Sequence, residues 1–429
     1  MRDQKQITLR SVEAFKTQIL AWAQQFDDIV WLDSNKYLQP HSSYDSVLAV
    51  DAFTSIQTDS FNGFKKLNEY QSITNDWIFG YLSYDLKNDS EPLKSQNFDG
   101  LNFPDLCFFQ PKKLFLFKGN VLTIKYLNLV SGEVDADLKS IETFSVQNDS
   151  SHKNDIQIES RISKQNYLSK VNTLLSHIHR GDIYEANFCQ EFYANADLNS
   201  LETYFNLNNI AQAPFATFLK NGDKFLLSSS PERYLKKVGL EITSQPIKGT
   251  TKRSQHSEED EDLKTTLERD PKERSENIMI VDLVRNDLSK IAQKGTVNVT
   301  ELCQIHSFKQ VHHMISTVQA KALSTISPVD IIAATFPMGS MTGAPKISAM
   351  KIIESLEDTK RGLYSGAVGY FTPEGNFDFN VVIRSILYNA SKSYISFSVG
   401  SAITSKSTPE KEYQECLVKA KAMRSVLEN

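Results

Sequence analysis

The sequence predicts an α+β layered fold rather than a doubly wound parallel sheet. Its β-rich runs come in blocks instead of alternating one-for-one with helices, the pattern of antiparallel sheets with segregated helices. Two long segments, 271–292 and 409–427, carry the strongest helix signals. The composition, 40% hydrophobic and 23% charged over 429 residues, is that of a globular chain with material for two or three domain-sized units.

In chain order, the spacing first predicts a helix over 11–26. Val12, Phe15, Ile19, Leu20, Trp22 and Ala23 recur at helical intervals behind Ser11 as N-cap. Shorter β-rich runs follow at 46–50, 77–82, 106–109 and 113–126. From Val134 to Ile156 the chain turns polar, and 147–155 contains no apolar residue. Residues 136–158 therefore read as a linker or long surface connection between an N-terminal region, 1–135, and a larger one, 159–429. A helix resumes at Ser163 and directs Tyr167, Val171, Leu174, Leu175 and Ile178 toward a core. Strand-like runs occupy 215–219, 225–229, 233–238 and 241–243, then 364–371, 377–387 and 394–399.

Charge and cysteine content exclude several classes. Lys and Arg total 47 against 52 Asp and Glu, a net −5, which gives no general footprint for nucleic acid or an anionic membrane. Cys107, Cys189, Cys303 and Cys416 form no CxxC pair, so neither a disulfide scaffold nor a structural zinc is expected. No apolar run reaches the length of a membrane span and the N-terminus has no signal core. A soluble, cytoplasmic protein is expected.

The chemistry-bearing residues begin at 270–277. Asp270 suits an N-cap and Pro271 the first helical position, so Glu273 reads most simply as a capping-box carboxylate. Glu276 shares its face. The residues that follow, Ile278 to Val284, are mostly apolar, so the helix should be largely buried and a carboxylate at its mouth needs a partner. On the C-terminal helix Glu412, Glu415 and Lys419 form one stripe, which alone would be an ordinary solvated face. Two acidic pairs at equal spacing on separate helices allow a second reading, a hard divalent cation such as Mg²⁺ with positions left for substrate oxygens.

Elsewhere, Lys248 in PIKGT (246–250) is either a surface lysine or a desolvated amine nucleophile, and Gly249 lets backbone approach a ligand. Glu232 ends a strand 16 residues earlier, in SPER (230–233). The turn GSMTGAPK (339–346) opens a helix but lacks the phosphate-loop pattern, which disfavours a nucleotide triphosphatase. His312 and His313 are adjacent on a strand, so at most one faces a site. His177 and His179 have no glutamate at zincin spacing.

SPER, PIKGT, KERSEN-IMIVDLVRNDL (272–288), VHHMIST (311–317), GSMTGAPK, YSGAVGY (364–370), VVIR (381–384) and EYQE (412–415) together resemble the chorismate-utilising enzymes. The resemblance is ordered from about residue 160 onward and weaker over 1–135. It implies an antiparallel β-sandwich flanked by helices, to which the N-terminal third contributes. It further implies that Glu276 and Glu415 contact Mg²⁺, that Glu273 and Glu412 support its water shell, and that the ion holds the ring carboxylate of chorismate. Gly249, Thr250, His313 and Thr342 would lie near the substrate. Tyr370, Arg384, Lys419 and the backbone around Gly400 and Ser401 would hold the enolpyruvyl carboxylate, and Glu232 would be the general acid. Arg384 stands among Val381, Val382, Ile383 and Ile386, where a guanidinium needs an anion.

Within this family Lys248 discriminates. Members that form anthranilate, isochorismate or salicylate generally carry alanine there, whereas those that aminate ring carbon 4 commonly carry lysine. The lysine attacks ring carbon 2 and expels the 4-hydroxyl, then ammonia enters at carbon 4 and releases it. At Glu185, water-adding members usually have lysine and aminating members glutamine. The resemblance thus implies an enzyme making 4-amino-4-deoxychorismate from chorismate and ammonia, for p-aminobenzoate and folate. Ammonia would come from a separate glutamine amidotransferase subunit, since no cysteine here sits in a nucleophile elbow. The alternatives are the anthranilate-forming sibling and a non-catalytic chorismate-binding relative.

Overall fold

The computed structural model describes residues 1–37, 41–144, 156–309 and 311–428. Its strands make two antiparallel layers joined along one long shared strand, Leu106–Lys118, which Ser46–Thr58 pairs from end to end. The first layer runs from Arg2–Thr8 through Val121–Leu127, the C-terminal half of the shared strand, Ser46–Thr58 and Asp28–Asp33. It continues through Phe215–Asn221, Lys224–Ser230, Ser385–Asn389 and Tyr394–Thr404 to Glu185–Asn195. The second layer leaves the N-terminal half of the shared strand through Ile78–Leu82, Ala367–Phe371 and Phe377–Val381. It ends through Arg233–Val238 and Glu241–Gln245 at Val311–Lys321, which also pairs Ile247–Lys252 and Asn298–Ser307.

Strand alternation explains the layering. In Asp28–Asp33, Ile29 and Trp31 join one apolar cluster and Val30 another, because successive side chains point to opposite faces. Val30, Leu219, Leu226 and Leu387 from the first layer meet Phe79, Tyr81, Val368 and Tyr370 from the second, forming the core between the sheets. Outside the first layer pack the helices Val12–Ala23, Lys164–Arg180, Ser200–Ala211 and Pro409–Leu427. Outside the second pack Gly63–Thr74, Pro271–Ser289 and Pro328–Thr335. The result is the antiparallel sandwich flanked by helices.

Local differences from the sequence reading have physical reasons. The runs 106–109 and 113–126 are instead one strand to Lys118 and a second from Val121, turned at Gly119 with φ +56°. The run 377–387 is broken, because Arg384 sits at φ +52° between its two strands. The stretch expected as a linker from 136 begins inside the helix Val134–Thr143, whose Ile141 is buried; Ile156 rejoins the same core, and 145–155 lie outside the described residues. The helix Ser257–Arg269 carries no apolar periodicity in the sequence, since Leu267 alone is buried on it. Its acidic first turn, Glu258 to Asp260, complements the helix dipole instead. All four cysteines are buried and unpaired, and no helix among the described residues is long and apolar enough to cross a membrane.

Candidate active site

At one edge of the sandwich, Ile247–Lys252, the start of Glu185–Asn195, the break at Arg384 and the first turns of two helices converge. Ile247–Lys252 is irregular. Its register against Val311–Lys321 shifts between Ile247 and Thr250, where Gly249 takes φ +84°. A Cβ on Gly249 would also stand 3.2 Å from the Glu273 carboxylate. The irregularity leaves Lys248 inward, with Nζ donating to Glu185 Oε1 at 3.1 Å. Glu185 is almost fully buried, and its Oε2 has no hydrogen-bond partner among the described residues. Cross-strand partners Thr250 and His313 bond through Oγ1 and Nδ1 at 2.8 Å. Burial, with Arg384 nearby, pushes the imidazole down to about 3, so it is neutral.

Burial by itself would lower the Lys248 amine, but Glu185, Glu276 and Glu232 outweigh it and hold the amine above its ordinary value. Before anything binds, Lys248 is an ammonium, not the neutral nucleophile. Glu232 is buried and pushed up to about 7 by desolvation, against the pull of Lys248 and the Ile247 N–H. It is therefore a carboxyl that exchanges a proton near neutrality.

The two acidic pairs face each other. Asp270 caps its helix, accepting from the backbone N–H groups of Lys272 and Glu273, and its own N–H donates to the Leu267 carbonyl, so the Glu273 carboxylate does not close a capping box. Glu276 is pushed up to about 7 by burial, countered by Lys248 and Lys272; burial also raises Glu273. Glu415 is pushed upward by burial but drawn below its ordinary value by Lys419, 2.6 Å away. Glu276 Oε1 and Glu412 Oε2 are buried with no hydrogen-bond partner among the described residues. Lys272 lies 3.8 Å from Glu276 and 3.7 Å from Glu412. No three His, Cys, Asp or Glu side chains among the described residues close by themselves into a metal cluster. The donor set nevertheless fits Mg²⁺, which keeps several waters and takes only one or two carboxylates. The two orphaned oxygens on facing helices are what such an ion would satisfy.

The Arg384 guanidinium has no hydrogen bond or ion pair among the described residues, while its backbone carbonyl accepts from the Ser229 N–H at 3.1 Å; burial lowers the guanidinium, and Tyr364 and Glu415 stand near. It is an unanswered guanidinium beside the carboxylate cluster. Lys419 Nζ donates to the Gly400 carbonyl at 2.9 Å, and Gly400 is demanded by packing, since a Cβ would meet Cys189 Sγ at 2.5 Å. Ser401 is buried on the same strand.

Two expected residues do not join the group. The Tyr370 ring lies tilted against Trp77 and Phe79 between the sheets and lines a cavity with Asp33, Tyr44 and Asp378 whose described lining does not include Lys248. The tyrosine beside Arg384 is Tyr364, which lies before the strand Ala367–Phe371 and escapes its alternation. Thr342 adjoins the site through its carbonyl, which accepts from Asn187, but its hydroxyl is used within its own turn by Met338 and Gly339. Sequence reasoning also passed over Lys272, which looks like an ordinary i,i+4 partner of Glu276.

A family model described as chorismate binding enzyme matches residues 27–425. A probable chloroplastic aminodeoxychorismate synthase of Oryza sativa subsp. japonica is 36% identical over 387 residues, covering 81% of this chain and 43% of that protein. Aminodeoxychorismate synthase component 1 of Escherichia coli (strain K12) is 37% identical over 287 residues, covering 67% and 62%. The chain thus spans less than two thirds of the length of these relatives. The crystal structure of anthranilate synthase component I from Streptococcus pneumoniae TIGR4 superposes with a TM-score of 0.78 at 26% identity, covering 90% of this chain and 93% of that one.

Proposed function

Because the chain belongs to the family of chorismate-binding enzymes, we propose that it aminates chorismate at ring carbon 4, forming 4-amino-4-deoxychorismate, a precursor of p-aminobenzoate and folate. The observation that carries this reading is Lys248, a buried amine 3.1 Å from Glu185 and flanked by Glu232 and Glu276. A bound Mg²⁺ would supply positive charge that anchors the ring carboxylate and offsets Glu276. Arg384, whose guanidinium has no contact ion pair among the described residues, takes the enolpyruvyl carboxylate, assisted by Lys419.

The proton on Lys248 passes to Glu185, the base in direct contact with it. The freed lone pair forms a bond to ring carbon 2, both ring double bonds shift, and the carbon 4–oxygen bond breaks. Glu232 donates the proton that lets the hydroxyl leave as water, then takes the second amine proton. Ammonia next bonds carbon 4, the double bonds shift back, and the carbon 2–nitrogen bond breaks. One ammonia proton returns to Lys248, so chorismate and ammonia become product and water. We assign the ammonia supply to a separate amidotransferase subunit, in line with the "component 1" of the Escherichia coli relative's name.

The second reading, anthranilate formation, is favoured by the match to the Streptococcus protein. One assay separates them: purified protein with chorismate, Mg²⁺ and ammonium, with products read before and after addition of aminodeoxychorismate lyase. A lyase-dependent aromatic product supports carbon 4 amination. Fluorescent anthranilate without lyase overturns it, and chorismate binding without turnover would mark a non-catalytic relative. Without ammonia, the peptide holding 246–250 should gain mass from a chorismate adduct, which Lys248→Ala abolishes.

A further inference from the structure

Lys272 leaves the first turn of the helix Pro271–Ser289 and reaches between the two facing carboxylates, 3.8 Å from Glu276 Oε1 and 3.7 Å from Glu412 Oε1. Both separations exceed the 2.7–3.2 Å of an N–H···O bond. The amine supplies charge to the pair without satisfying either oxygen. Neighbouring pairs behave otherwise: Lys419 touches Glu415 at 2.6 Å and Lys248 touches Glu185 at 3.1 Å. The difference lies in the acceptors, since Glu276 Oε1 and Glu412 Oε2 stay buried with no donor. Buried carboxylates facing each other without a cation would repel strongly. The Lys272 side chain is 37% exposed, so part of it already meets solvent.

We propose that Lys272 is an exchangeable counter-cation: it offsets part of the charge of the Glu276–Glu412 pair until a divalent ion arrives, then is driven outward by that ion. The inference rests on the metal-site reading above. A flexible four-carbon stem bearing a compact charge suits a placeholder. Lys272 then sets how tightly the ion is held before substrate is present, because the ion must displace a charge as well as fill a gap.

The test measures Mn²⁺ alone, without chorismate, by the loss of its free electron paramagnetic resonance signal on titration with protein. Lys272→Gln and Lys272→Met should bind Mn²⁺ at least about tenfold more tightly than the parent, since a like charge has been removed from within ~4 Å of the carboxylates. Lys272→Arg should not tighten binding. Glu276→Gln should lose it. If Lys272→Gln and Lys272→Met bind as the parent does, or more weakly, while Glu276→Gln loses the ion, the counter-cation role is wrong and the metal site stands. If Glu276→Gln binds as tightly as the parent, the metal-site reading falls, and this inference with it.

Discussion

Glu232 and Glu276 are the residues whose ionisation near neutrality leaves a mark on the whole protein. Each is pushed from 4.5 to about 7, chiefly by burial. A carboxyl with a raised folded value binds its proton more tightly folded than unfolded. The stability this confers is complete below pH 4.5, drains as pH rises, and is gone above about pH 7. For Glu232 the loss is at most about 3 kcal/mol. Urea unfolding at pH 5, 6, 7 and 8 should therefore show metal-free protein weakening across that window, and Glu232→Gln should make the decline shallower without removing the part due to Glu276. Activity should track the same group, with adduct formation falling above pH 7 as Glu232 loses the proton it donates. Glu185→Gln removes both the base and the carboxylate in contact with Lys248, so adduct formation should slow, and because the amine titrates lower its pH profile should move to lower pH.

At the scale of elements, the break at Arg384 is the most informative. The φ of +52° between Phe377–Val381 and Ser385–Asn389 strains any residue with a Cβ by roughly 1–2 kcal/mol. Arg384→Gly should therefore unfold at higher denaturant than Arg384→Ala, while both lose chorismate binding by at least tenfold in KM. The helix Pro271–Ser289 offers a second check, since Asp270→Ala deletes the cap on Lys272 and Glu273 and should cost about 1 kcal/mol. That cap was legible from Asp270-Pro271 alone, as were the acidic stripes, because helix signals are local. The break at Arg384 was not, since arginine gives no hint of a left-handed backbone and its apolar neighbours continue the strand pattern. Tyr370 was misplaced for a related reason. Which tyrosine faces the site depends on where the strand Ala367–Phe371 begins, and alternation cannot fix its own starting point. The contact between Lys248 and Glu185 joins residues far apart in sequence, so no spacing rule could find it.

For the molecule as a whole, the N-terminal third is woven into both layers. Asp28–Asp33 pairs with Phe215–Asn221, and Ile78–Leu82 pairs with Ala367–Phe371, so Phe79 faces Tyr370 across the join. The aromatic contacts of Trp77 and Phe79 with Tyr370 add to that seam. A fragment comprising 159–429 would expose Leu219, Leu226 and Val368, which otherwise lie between the sheets. It should lose near-ultraviolet circular dichroism and bind the dye 1-anilinonaphthalene-8-sulfonate, whereas a cooperative transition matching the full chain would contradict this view. The family motifs lie almost wholly within that fragment, which is why the sequence revealed the chemistry more fully than the support beneath it.

The strand Asp28–Asp33 also bears on how the protein is made. Its first partner, Ser46–Thr58, leaves the ribosome soon after it, and a hairpin can form at once. Its other edge must wait for Phe215–Asn221. At ~5–20 residues per second the nascent chain carries that open edge for roughly 10–40 s. Through that interval Ile29, Val30 and Trp31 sit on a strand with one open edge, of the kind that recruits stray β-partners. A chaperone holding the chain during this window should raise the yield of native protein, and slower synthesis between residues 33 and 215 should lower it.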